Sequence, residues 1–565
     1  MRMHDNPVLS HIVAQQAKGN VCEVLPVYCF DPRHFGTTKM GSPKTGAFRT
    51  KFLLESVADL RSSLRAVGSD LLVGVGKPEE LLPTLVAPRC DDTAYAITTS
   101  ILCQEMVTSE ETGVDRAVRS ALPAGVASFK TFESGTMYAK ADLPYAHDLS
   151  DMPDGFTPFR TKVEARCKIP APARAPTRPA GSPSPLPLPD TSSFTPSAGL
   201  SFDFLPNAAA LGLDTACGID DAAISAPADE RGVMPFPGGE TAALARLKHY
   251  LWDGDHLKSY FETRNGMLGA DYSSKFAPWL AHGNLSPRLI ASECKRYERE
   301  RVENKSTYWM VFELLWRDFF HWYASKHGDR IFKLDGPTRS YPWKWRSPLE
   351  HSEHEALLRR WKDGRLGVPL VDANMRELAA TGFMSNRGRQ NVASYLALDL
   401  QLDWRYGADH FESLLLDYDV ASNWGNWVAA AGLTGGRVNR FNIVKQSKDY
   451  DPDGDYVRHW LPELSKIPGA RVHEPWLLSN AEQGEYGVRI GVDYPSPPKS
   501  QFSYGGGGKG GGGGSKGRGK GGGGGGGRGG ERLTPAQTAA IKGRGKGGRG
   551  GGGRKRVQHA GFDDE

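Results

Sequence analysis

Residues 381–395 read TGFMSNRGRQNVASY, a stretch that sets two arginines, two asparagines and a glutamine into an otherwise apolar, helix-compatible segment. A helix that is so polar along one side faces either water or a buried polar ligand. Gly388 lies among the polar residues, where the backbone can approach another group closely. A second polar cluster, DYDVASNWGNW, occupies residues 417–427, and its carboxylates could pair with Arg389 beside a bound ring system. The alternative to a ligand site is that the polar groups of the two helix faces form hydrogen bonds and ion pairs with each other, since structural ion pairs are also common.

Together the two clusters resemble the photolyase/cryptochrome family, and the wording of residues 381–396, TGFMSNRGRQNVASYL, points to its DASH-type cryptochrome branch. The resemblance runs from residue 1 to residue 480 and is interrupted by one long insertion. It implies an α/β antenna domain followed by an all-α domain that binds FAD.

The bulk composition sets limits on the class of protein. With 565 residues the chain is long enough for two or more domains, each with its own core. Its seven cysteines form no C-x-x-C pair, so we expect reduced thiols and predict neither disulfides nor a metal site. A long uncharged apolar span is lacking, which disfavours a membrane protein.

Charge is divided unevenly along the chain. Residues 505–556 carry thirteen Lys and Arg and one acidic residue, a net charge of +12, so the remainder carries −7 of the total +5. This glycine-rich tail contains RGG-like steps and is predicted to be disordered. It is either an inert spacer or a segment that contacts RNA or single-stranded DNA.

The order of apolar patterns predicts the domain organisation. The first third alternates apolar runs with helical patterns, which predicts a parallel, doubly wound, Rossmann-like sheet. The later part shows a helical period of 3.6 residues. We predict an α/β antenna domain at 1–130, an interdomain linker with a Pro-rich disordered insertion at 131–237, a helical FAD-binding domain at 238–480 and a disordered Gly/Lys/Arg-rich tail at 481–565.

Individual elements follow from the same patterns. Residues 170–235 are rich in Pro, Ala and Ser, so we expect a flexible linker that forms no part of a core. The predicted strands are 21–30, 70–75 and 93–98, and the predicted helices are 47–67, 79–85, 240–251, 289–301, 308–325 and 376–400.

The chain starts directly at the motif RMHDN, residues 2–6, whereas family members place an apolar strand before it. We therefore expect the sheet to lack its first strand, and a targeting peptide can be neither read nor excluded. An intracellular, reducing location is expected, with chloroplast, mitochondrion and nucleus left open.

Hydroxyl groups lie just ahead of an apolar segment at Ser273 and Ser274. Taken alone, such a pair is also an ordinary helix N-cap. The resemblance implies a loop that binds the FAD pyrophosphate, lined by Ser273, Ser274, Lys275 and Phe276 and completed by Tyr260.

Glu313 and Arg317 are four residues apart on a predicted helix and so face the same side, where a salt bridge between them is the ordinary interpretation. The resemblance implies instead that Glu313 hydrogen-bonds damaged pyrimidines, that Trp316 stacks on them and that Arg317 helps to hold FAD.

The resemblance assigns the two opening clusters to the flavin. Asn386 would touch both flavin and lesion, Arg389 would pair with Asp417 near the isoalloxazine ring, Asp419 would be a further flavin contact, and Asn423 would lie beside flavin N5. Because Asn386 and Gln390 stand where (6-4) photolyases need histidines, that activity is disfavoured.

Three tryptophans are implied to carry electrons to the flavin. Trp427 and Trp404 match the proximal and middle members, and the outer member is Trp345 or Trp343; core packing is the alternative for each.

Two further positions bear on the antenna and on the lesion. Glu105 would contact a folate antenna, 5,10-methenyltetrahydrofolate. Ala429 departs from the family, because DASH proteins carry Tyr there, and we expect weaker lesion binding as a result.

The leading hypothesis is a monomeric, light-driven deoxyribodipyrimidine photo-lyase. Excited FADH⁻ would pass an electron to a cyclobutane pyrimidine dimer, and single-stranded DNA would be preferred because the lesion must leave the stack. Two alternatives stay open: a blue-light photoreceptor with little repair activity, and an RNA-binding protein that acts through its tail.

Overall fold

The computed structural model describes residues 1–21, 23–86, 99–124, 127–189, 199–338, 344–435, 438 and 440–498. The predicted strand at 93–98, Trp343 and the basic tail at 505–556 lie outside these residues. All three therefore stay predictions.

Parallel strand pairs form the framework of the N-terminal part. The strands are β1 (Val27–Phe30), β2 (Leu72–Val75), β3 (Thr99–Gln104), β4 (Ala127–Phe132) and β5 (Leu200–Ser201). β1 runs parallel to β2 with Val27 opposite Leu72, β5 adds to β2 antiparallel, and β3 runs parallel to β4. Within the described residues, no strand joins the β1–β2–β5 group to the β3–β4 pair. The predicted α/β class with parallel pairing is confirmed.

The helices of this part are α1 (Pro7–Gln16), α2 (Ala47–Ala66), α3 (Pro78–Leu81), α4 (Ser109–Ala121) and α5 (Phe156–Arg166). α2 agrees with the predicted helix at 47–67, whereas the strand predicted at 21–30 is limited to its last four residues. Phe30 of β1 and Val57 of α2 are buried in one core between the sheet and its helices.

The Pro-rich stretch contributes to this core. Leu186, Leu213 and Ile224 are buried in the same cluster as Phe30, and Val24 N donates to the carbonyl of Pro187 at 2.6 Å. The prediction that residues 170–235 form no part of a core is therefore wrong. Apolar residues between prolines can pack against a sheet without regular structure, and three short helices follow: α6 (Ala208–Leu211), α7 (Leu213–Cys217) and α8 (Asp221–Ser225).

Helices dominate from residue 240 onward, as predicted for 238–480. They are α9 (Glu240–Lys248), α10 (Tyr260–Thr263), α11 (Ala277–Ala281), α12 (Pro287–Glu300), α13 (Lys305–His327), α14 (Ser352–Lys362), α15 (Pro369–Thr381), α16 (Asn386–Ser394), α17 (Trp404–Leu414), α18 (Val420–Ala430), α19 (Ile443–Tyr450), α20 (Asp455–Trp460) and α21 (Asn480–Tyr486). The last of them, α21, extends beyond residue 480, so the prediction of a disordered tail beginning at 481 is wrong for the described residues 481–498. No helix in the described part of the chain combines the length and the apolar character needed to span a membrane.

The single helix predicted at 376–400 is wrong, because the chain breaks between α15 and α16. Gly382 ends α15 at φ +68°, a left-handed conformation that favours glycine, and the Ser385 hydroxyl caps α16 by accepting from Gly388 N at 3.0 Å. This break exposes the first residue of α16, Asn386.

Buried charged groups fasten the α/β part to the helices. Asp318 of α13 accepts from the backbone N–H groups of Met137 (2.9 Å) and Tyr138 (3.1 Å), and burial raises the pKa of Asp318 to about 7 although these hydrogen bonds oppose it. Arg49 of α2 donates to the carbonyl of Leu415 at 3.1 Å and lies over the Tyr418 ring. The segment 415–419 is thus held in place by the α/β part.

Candidate functional site

Arg389 and Asp417 form the predicted ion pair. Arg389 Nη2 donates to Asp417 Oδ2 at 2.8 Å, and Arg389 Nε donates to the Met384 carbonyl at 3.0 Å. The Asp417 side chain is only 4% exposed, and in the part of the chain that the structure describes its Oδ1 has no hydrogen-bond partner. Leaving a buried carboxylate oxygen without a hydrogen bond costs free energy, so the polar groups of the two clusters do not fully pair with each other.

Close approach at Gly388 is confirmed, and its partner is Asn374 of α15. A Cβ on Gly388 would lie 1.8 Å from Asn374 Oδ1, so no side chain can stand there. α16 therefore lies tightly against α15, with Arg387 buried and Asn386 exposed.

Asp419 and Asn423 are fixed at the start of α18. Asp419 accepts from Ser422 N at 2.8 Å, and Asn423 Nδ2 donates to the Ala408 carbonyl at 3.0 Å. Burial opposes ionisation of Asp419, but the charge of Arg317, whose Nη2 is 3.9 Å away, and the hydrogen bonds from Ser422 together outweigh it and lower the pKa of the carboxyl. The structure therefore brings Arg317 and Asp419 together as charged neighbours.

The loop ahead of α11 is held by a buried arginine. Arg246 donates to the carbonyls of Ser274 (3.0 Å) and Ser273 (3.2 Å) and to Asp271 Oδ1 (2.7 Å). The N-cap of α11 is Phe276 and makes no side-chain capping bond, so the alternative that Ser273 and Ser274 cap this helix is wrong.

Lys275 is buried next to this loop in a positive-φ conformation (57°). Its Nζ lies 3.1 Å from the centroid of the Tyr272 ring. Burial, together with the charge of Arg246, lowers the pKa of Lys275 to about 6. An anion beside Lys275 would favour its charged form.

A buried acid lies on α15 in the same region. Tyr456 donates to Glu377 Oε2 at 2.7 Å, while Oε1 has no partner in the described residues. Burial raises the pKa of Glu377 to about 8, so this group is largely protonated at neutral pH.

Glu313 forms its ion pair with Arg264 and not with Arg317, four residues further along the helix. Its Oε1 accepts from Arg264 Nη1 at 2.6 Å and from Trp309 Nε1 at 3.0 Å. Arg317 instead donates to the carbonyls of Gly135 and Leu280. The alternative of a Glu313–Arg317 salt bridge is therefore wrong. Burial raises the pKa of Glu313, and Arg264 opposes this shift.

Trp316 stacks within the protein. Its ring lies 3.6 Å from that of Phe156, centroid to centroid, at 10° between the ring planes. Phe156 begins α5, so the α/β part supports this tryptophan. Another ring that stacks on Trp316 must use its other face or displace Phe156.

The three tryptophans assigned to electron transfer lie in one part of the helical region. Trp427 lies over Gly407, where an added Cβ would be 2.2 Å from its ring, and Gly407 is one turn after Trp404 on α17. Trp345 is half-buried. The backbone N–H of its neighbour Arg346 donates to the carbonyl of Gln401 at 2.8 Å, and Gln401 precedes Trp404 by three residues, so Trp345 lies near the start of α17.

Glu105 follows β3 and faces α13. It lines a small cavity together with Glu133, Ser134, Thr136, His321 and Trp322. Burial lowers the pKa of His321 to about 4. The role of Glu105 toward an antenna stays a prediction.

Comparison with known proteins identifies the family. Residues 1–179 match the family model "DNA photolyase" and residues 309–500 match "FAD binding domain of DNA photolyase". Cryptochrome DASH from Ostreococcus tauri, a chloroplastic/mitochondrial protein, is 49% identical over 508 residues, covering 88% of each chain. Cryptochrome DASH from Gloeobacter violaceus is 49% identical over 503 residues, covering 88% of this chain and 91% of the relative. The chain belongs to the DASH branch of the photolyase/cryptochrome family.

Solved structures agree with the photolyase/cryptochrome fold. The crystal structure of a cryptochrome from Synechocystis sp. shares 44% identity with a TM-score of 0.73, over 88% of this chain and 94% of that one. A class III photolyase from Agrobacterium tumefaciens shares 26% identity with a TM-score of 0.66, over 88% and 92%.

The residues present in this DASH chain suit FAD. Asp417 has a buried oxygen without a partner in the described residues, and Lys275 is buried where an anion would restore its charge. Asn386 is exposed at the start of α16, three residues before Arg389, the partner of Asp417. Hydrogen-bonding capacity and positive charge are both available, as a flavin and a pyrophosphate require.

Three arginines of the site were missed by the sequence analysis. Arg264 contacts Glu313, Arg246 holds the Ser273–Ser274 backbone, and Arg387 donates to Asn265 Oδ1 at 2.9 Å. A signal existed for Arg264, which follows Tyr260 by four residues on the same helical turn. Arg246 gave no such signal, because its partners lie 25 to 28 residues further along the chain.

Proposed function

We propose that this chain is a blue-light-dependent FAD flavoprotein that repairs cyclobutane pyrimidine dimers and prefers single-stranded DNA. The observation that carries the proposal is the Arg389–Asp417 pair. It presents a buried carboxylate oxygen that has no partner among the described residues, in a chain that matches an FAD-binding domain. The description "DNA photolyase" of the N-terminal family model supports DNA as substrate.

The roles of the residues follow from their surroundings. Bound FAD, once reduced and excited by blue light, would supply the electron that opens the cyclobutane ring. Arg264 and Trp309 hold Glu313 in one orientation, so Glu313 can offer its second oxygen to a pyrimidine N–H. Asn386 is free to approach both flavin and lesion because α16 begins at this exposed residue.

The preference for single strands rests on Ala429. This residue is half-buried in the last turn of α18, where its methyl group offers no stacking surface. Extracting a dimer from a duplex costs a few kcal/mol, and a missing aromatic platform forgoes about 1–3 kcal/mol of stacking that could offset this cost. A dimer in a single strand avoids most of the extraction cost.

Two further assignments belong to the proposal. Glu105 would contact a 5,10-methenyltetrahydrofolate antenna at the cavity that it shares with His321. Chloroplast or mitochondrion is the proposed location, because relatives from Ostreococcus tauri and Oryza sativa are named chloroplastic/mitochondrial.

The test is light-dependent repair by purified full-length protein whose bound FAD is confirmed by its absorption spectrum. A thymine dimer is presented in single-stranded and in duplex oligonucleotides, with dark controls. We expect repair in light only and clearly faster on single strands. Equal rates on both substrates would refute the preference, and absence of repair despite photoreducible FAD would favour the photoreceptor alternative.

RNA binding through the tail is a second candidate function, favoured by the +12 charge and RGG-like composition of residues 505–556. Deletion of residues 505–556 should abolish RNA binding and leave FAD content and repair of short single strands unaltered. RNA binding that survives the deletion would exclude this role of the tail.

A further inference from the structure

Three side chains with metal-binding atoms meet outside the residues assigned to flavin and lesion. His249 Nε2 lies 3.4 Å from Asp271 Oδ1, and His256 Nε2 lies 3.6 Å from Asp271 Oδ2. One ligand atom from each residue can be chosen so that all three lie within 4.8 Å of one another. We propose that this cluster, the His249–His256–Asp271 cluster, binds a divalent transition-metal ion of the Zn²⁺ class.

The distances suit that class of ion. Zn²⁺ binds His nitrogen at about 2.0–2.1 Å and carboxylate oxygen at about 2.0–2.2 Å, so tetrahedral ligand atoms lie roughly 3.3 Å apart. Rotation of the exposed His249 imidazole and the half-buried His256 imidazole by small angles is enough to close the cluster around an ion. Two imidazoles with one carboxylate select Zn²⁺, Cu²⁺ or Ni²⁺ over Mg²⁺ or Ca²⁺, which prefer oxygen ligands throughout.

Local structure places the ligands. His249 begins the π-helical turn His249–Asp253 that follows α9, and His256 begins the 3-10 turn His256–Ser259. Asp255, between them, has φ +55°, a conformation that turns the chain back on itself. Asp271 reaches the two histidines from the loop ahead of α11.

Arg246 holds the carboxylate of the cluster by a hydrogen bond. Its Nη1 donates to Asp271 Oδ1 at 2.7 Å, which fixes the carboxylate and leaves Oδ2 for the ion. Hydrogen bonds to a metal-bound carboxylate are a common support of metal sites. The charge of Arg246 also repels a cation, so we expect moderate affinity. The sequence predicts no metal site, because the three ligands are spread over 23 residues and only folding brings them together.

Tag-free full-length protein is titrated with Zn²⁺ against a chromophoric chelator and with Co²⁺ by absorption. We expect one ion per chain with nitrogen and oxygen ligands. His249→Ala, His256→Ala and Asp271→Asn should each weaken binding about tenfold or more. Absence of binding, wild-type affinity in all three variants, or intense thiolate-to-cobalt absorption that places the ion on cysteines would overturn the assignment.

Two further variants separate ligation from folding. A Cβ on Gly254 would lie 2.2 Å from His256 Nε2, so Gly254→Ala should turn this imidazole away and weaken binding while every ligand is kept. The matched control is the double variant His351→Ala/His354→Ala, which removes another histidine pair with rings 5.0 Å apart. Its affinity should equal that of the wild type; a loss there, or no loss in Gly254→Ala, would contradict the proposal. The metal titration measures neither FAD content nor repair, so failure here leaves the proposed function standing.

Discussion

Arg389 holds Asp417 by a single carboxylate oxygen, with Nη2 and Oδ2 2.8 Å apart, and the second oxygen is buried without a partner in the described part of the chain. The pair therefore fixes the carboxylate and leaves its second oxygen, a hydrogen-bond acceptor, without a donor in the described residues. A ring N–H of bound FAD would satisfy that acceptor.

Asp417→Asn should weaken FAD binding by about 1.5–3 kcal/mol, the contribution of a hydrogen bond to a charged group. The shape is kept, so the effect reports on charge and hydrogen bonding. FAD content after purification and the FAD dissociation constant are the measurements. Glu463→Gln is the control, because Arg376 donates to Glu463 at 2.6 Å and 3.0 Å in another arginine–carboxylate ion pair. Equal FAD loss in both variants would show a general effect on stability.

Glu313→Gln should slow repair about tenfold to a hundredfold and leave FAD content unaltered, because about 1.5–3 kcal/mol of a charged hydrogen bond to the lesion is lost. Repair under constant blue light and the absorption spectrum of bound FAD measure the two effects separately. Loss of FAD together with repair would contradict the assignment of Glu313 to the lesion.

A matched control for this variant exists on α12. Glu293 accepts from Trp252 Nε1 at 2.8 Å and lies 3.0 Å from Arg296 Nη2, which repeats the Trp and Arg partners of Glu313 at a different place. Glu293→Gln should leave both repair and FAD content at the wild-type level.

Ala429→Tyr should strengthen binding of a dimer-containing duplex by about 1–3 kcal/mol if the added ring stacks on the extracted base. The gain should be accompanied by a smaller difference between single-strand and duplex repair. Titration of both DNA substrates, with and without a dimer, is the measurement. Ala430→Tyr serves as control, since a side chain one residue later on α18 points about 100° away. An equal gain in both variants would indicate nonspecific stacking.

Sequence patterns predicted the parts of the site that depend on residue type and local order. The Arg389–Asp417 pair followed from two arginine- and carboxylate-bearing clusters, and the need for Gly388 followed from its place among bulky polar residues. The break at Gly382 was missed because the apolar period continues across it, while one left-handed residue redirects the chain. Long-range partners such as Arg264 for Glu313 depend on tertiary packing, which local spacing does not encode.

Burial was harder to predict than secondary structure. Leu186 lies in a proline-rich stretch whose composition predicts a linker, yet it is fully buried against the sheet. Composition reports the average of a segment, whereas one well-placed leucine suffices to anchor it. Arg246 likewise lies on a predicted helix, but its burial and its contacts with Ser273 and Ser274 arise only when the loop folds over it.

Trp404→Phe should strongly slow the blue-light reduction of bound FAD by an external reductant, if Trp404 is the middle member of the electron path. Trp361→Phe is the matched control. Trp361 is fully buried with its ring centroid 6.2 Å from that of Trp427, but the assigned path does not include it. Transient absorption after a light pulse distinguishes the variants. Similar slowing in both would mean that the path branches at Trp427, and slowing in Trp361→Phe alone would contradict the assignment.

Stability should fall as the pH is lowered from 6.5 to 4, and His282 should account for part of the fall. Its Nε2 donates to the Leu416 carbonyl at 2.8 Å, next to Asp417, and burial lowers the pKa of His282 to about 4. Between pH 6.5 and 4 the unfolded chain therefore binds a proton that the folded protein excludes. Since stability rises with pH wherever the unfolded state binds more protons, it falls on acidification through this window.

His282→Gln should flatten this pH dependence, because glutamine does not titrate and its amide can still donate to the Leu416 carbonyl. Urea unfolding of the FAD-free protein at several pH values between 4 and 7 measures the slope. His147→Gln, at an exposed position, is the control and should keep the wild-type slope. If His282→Gln retains the full slope, other groups carry the acid sensitivity. The half-buried His321 and His410 are then the next positions to replace, since desolvation lowers the pKa of both.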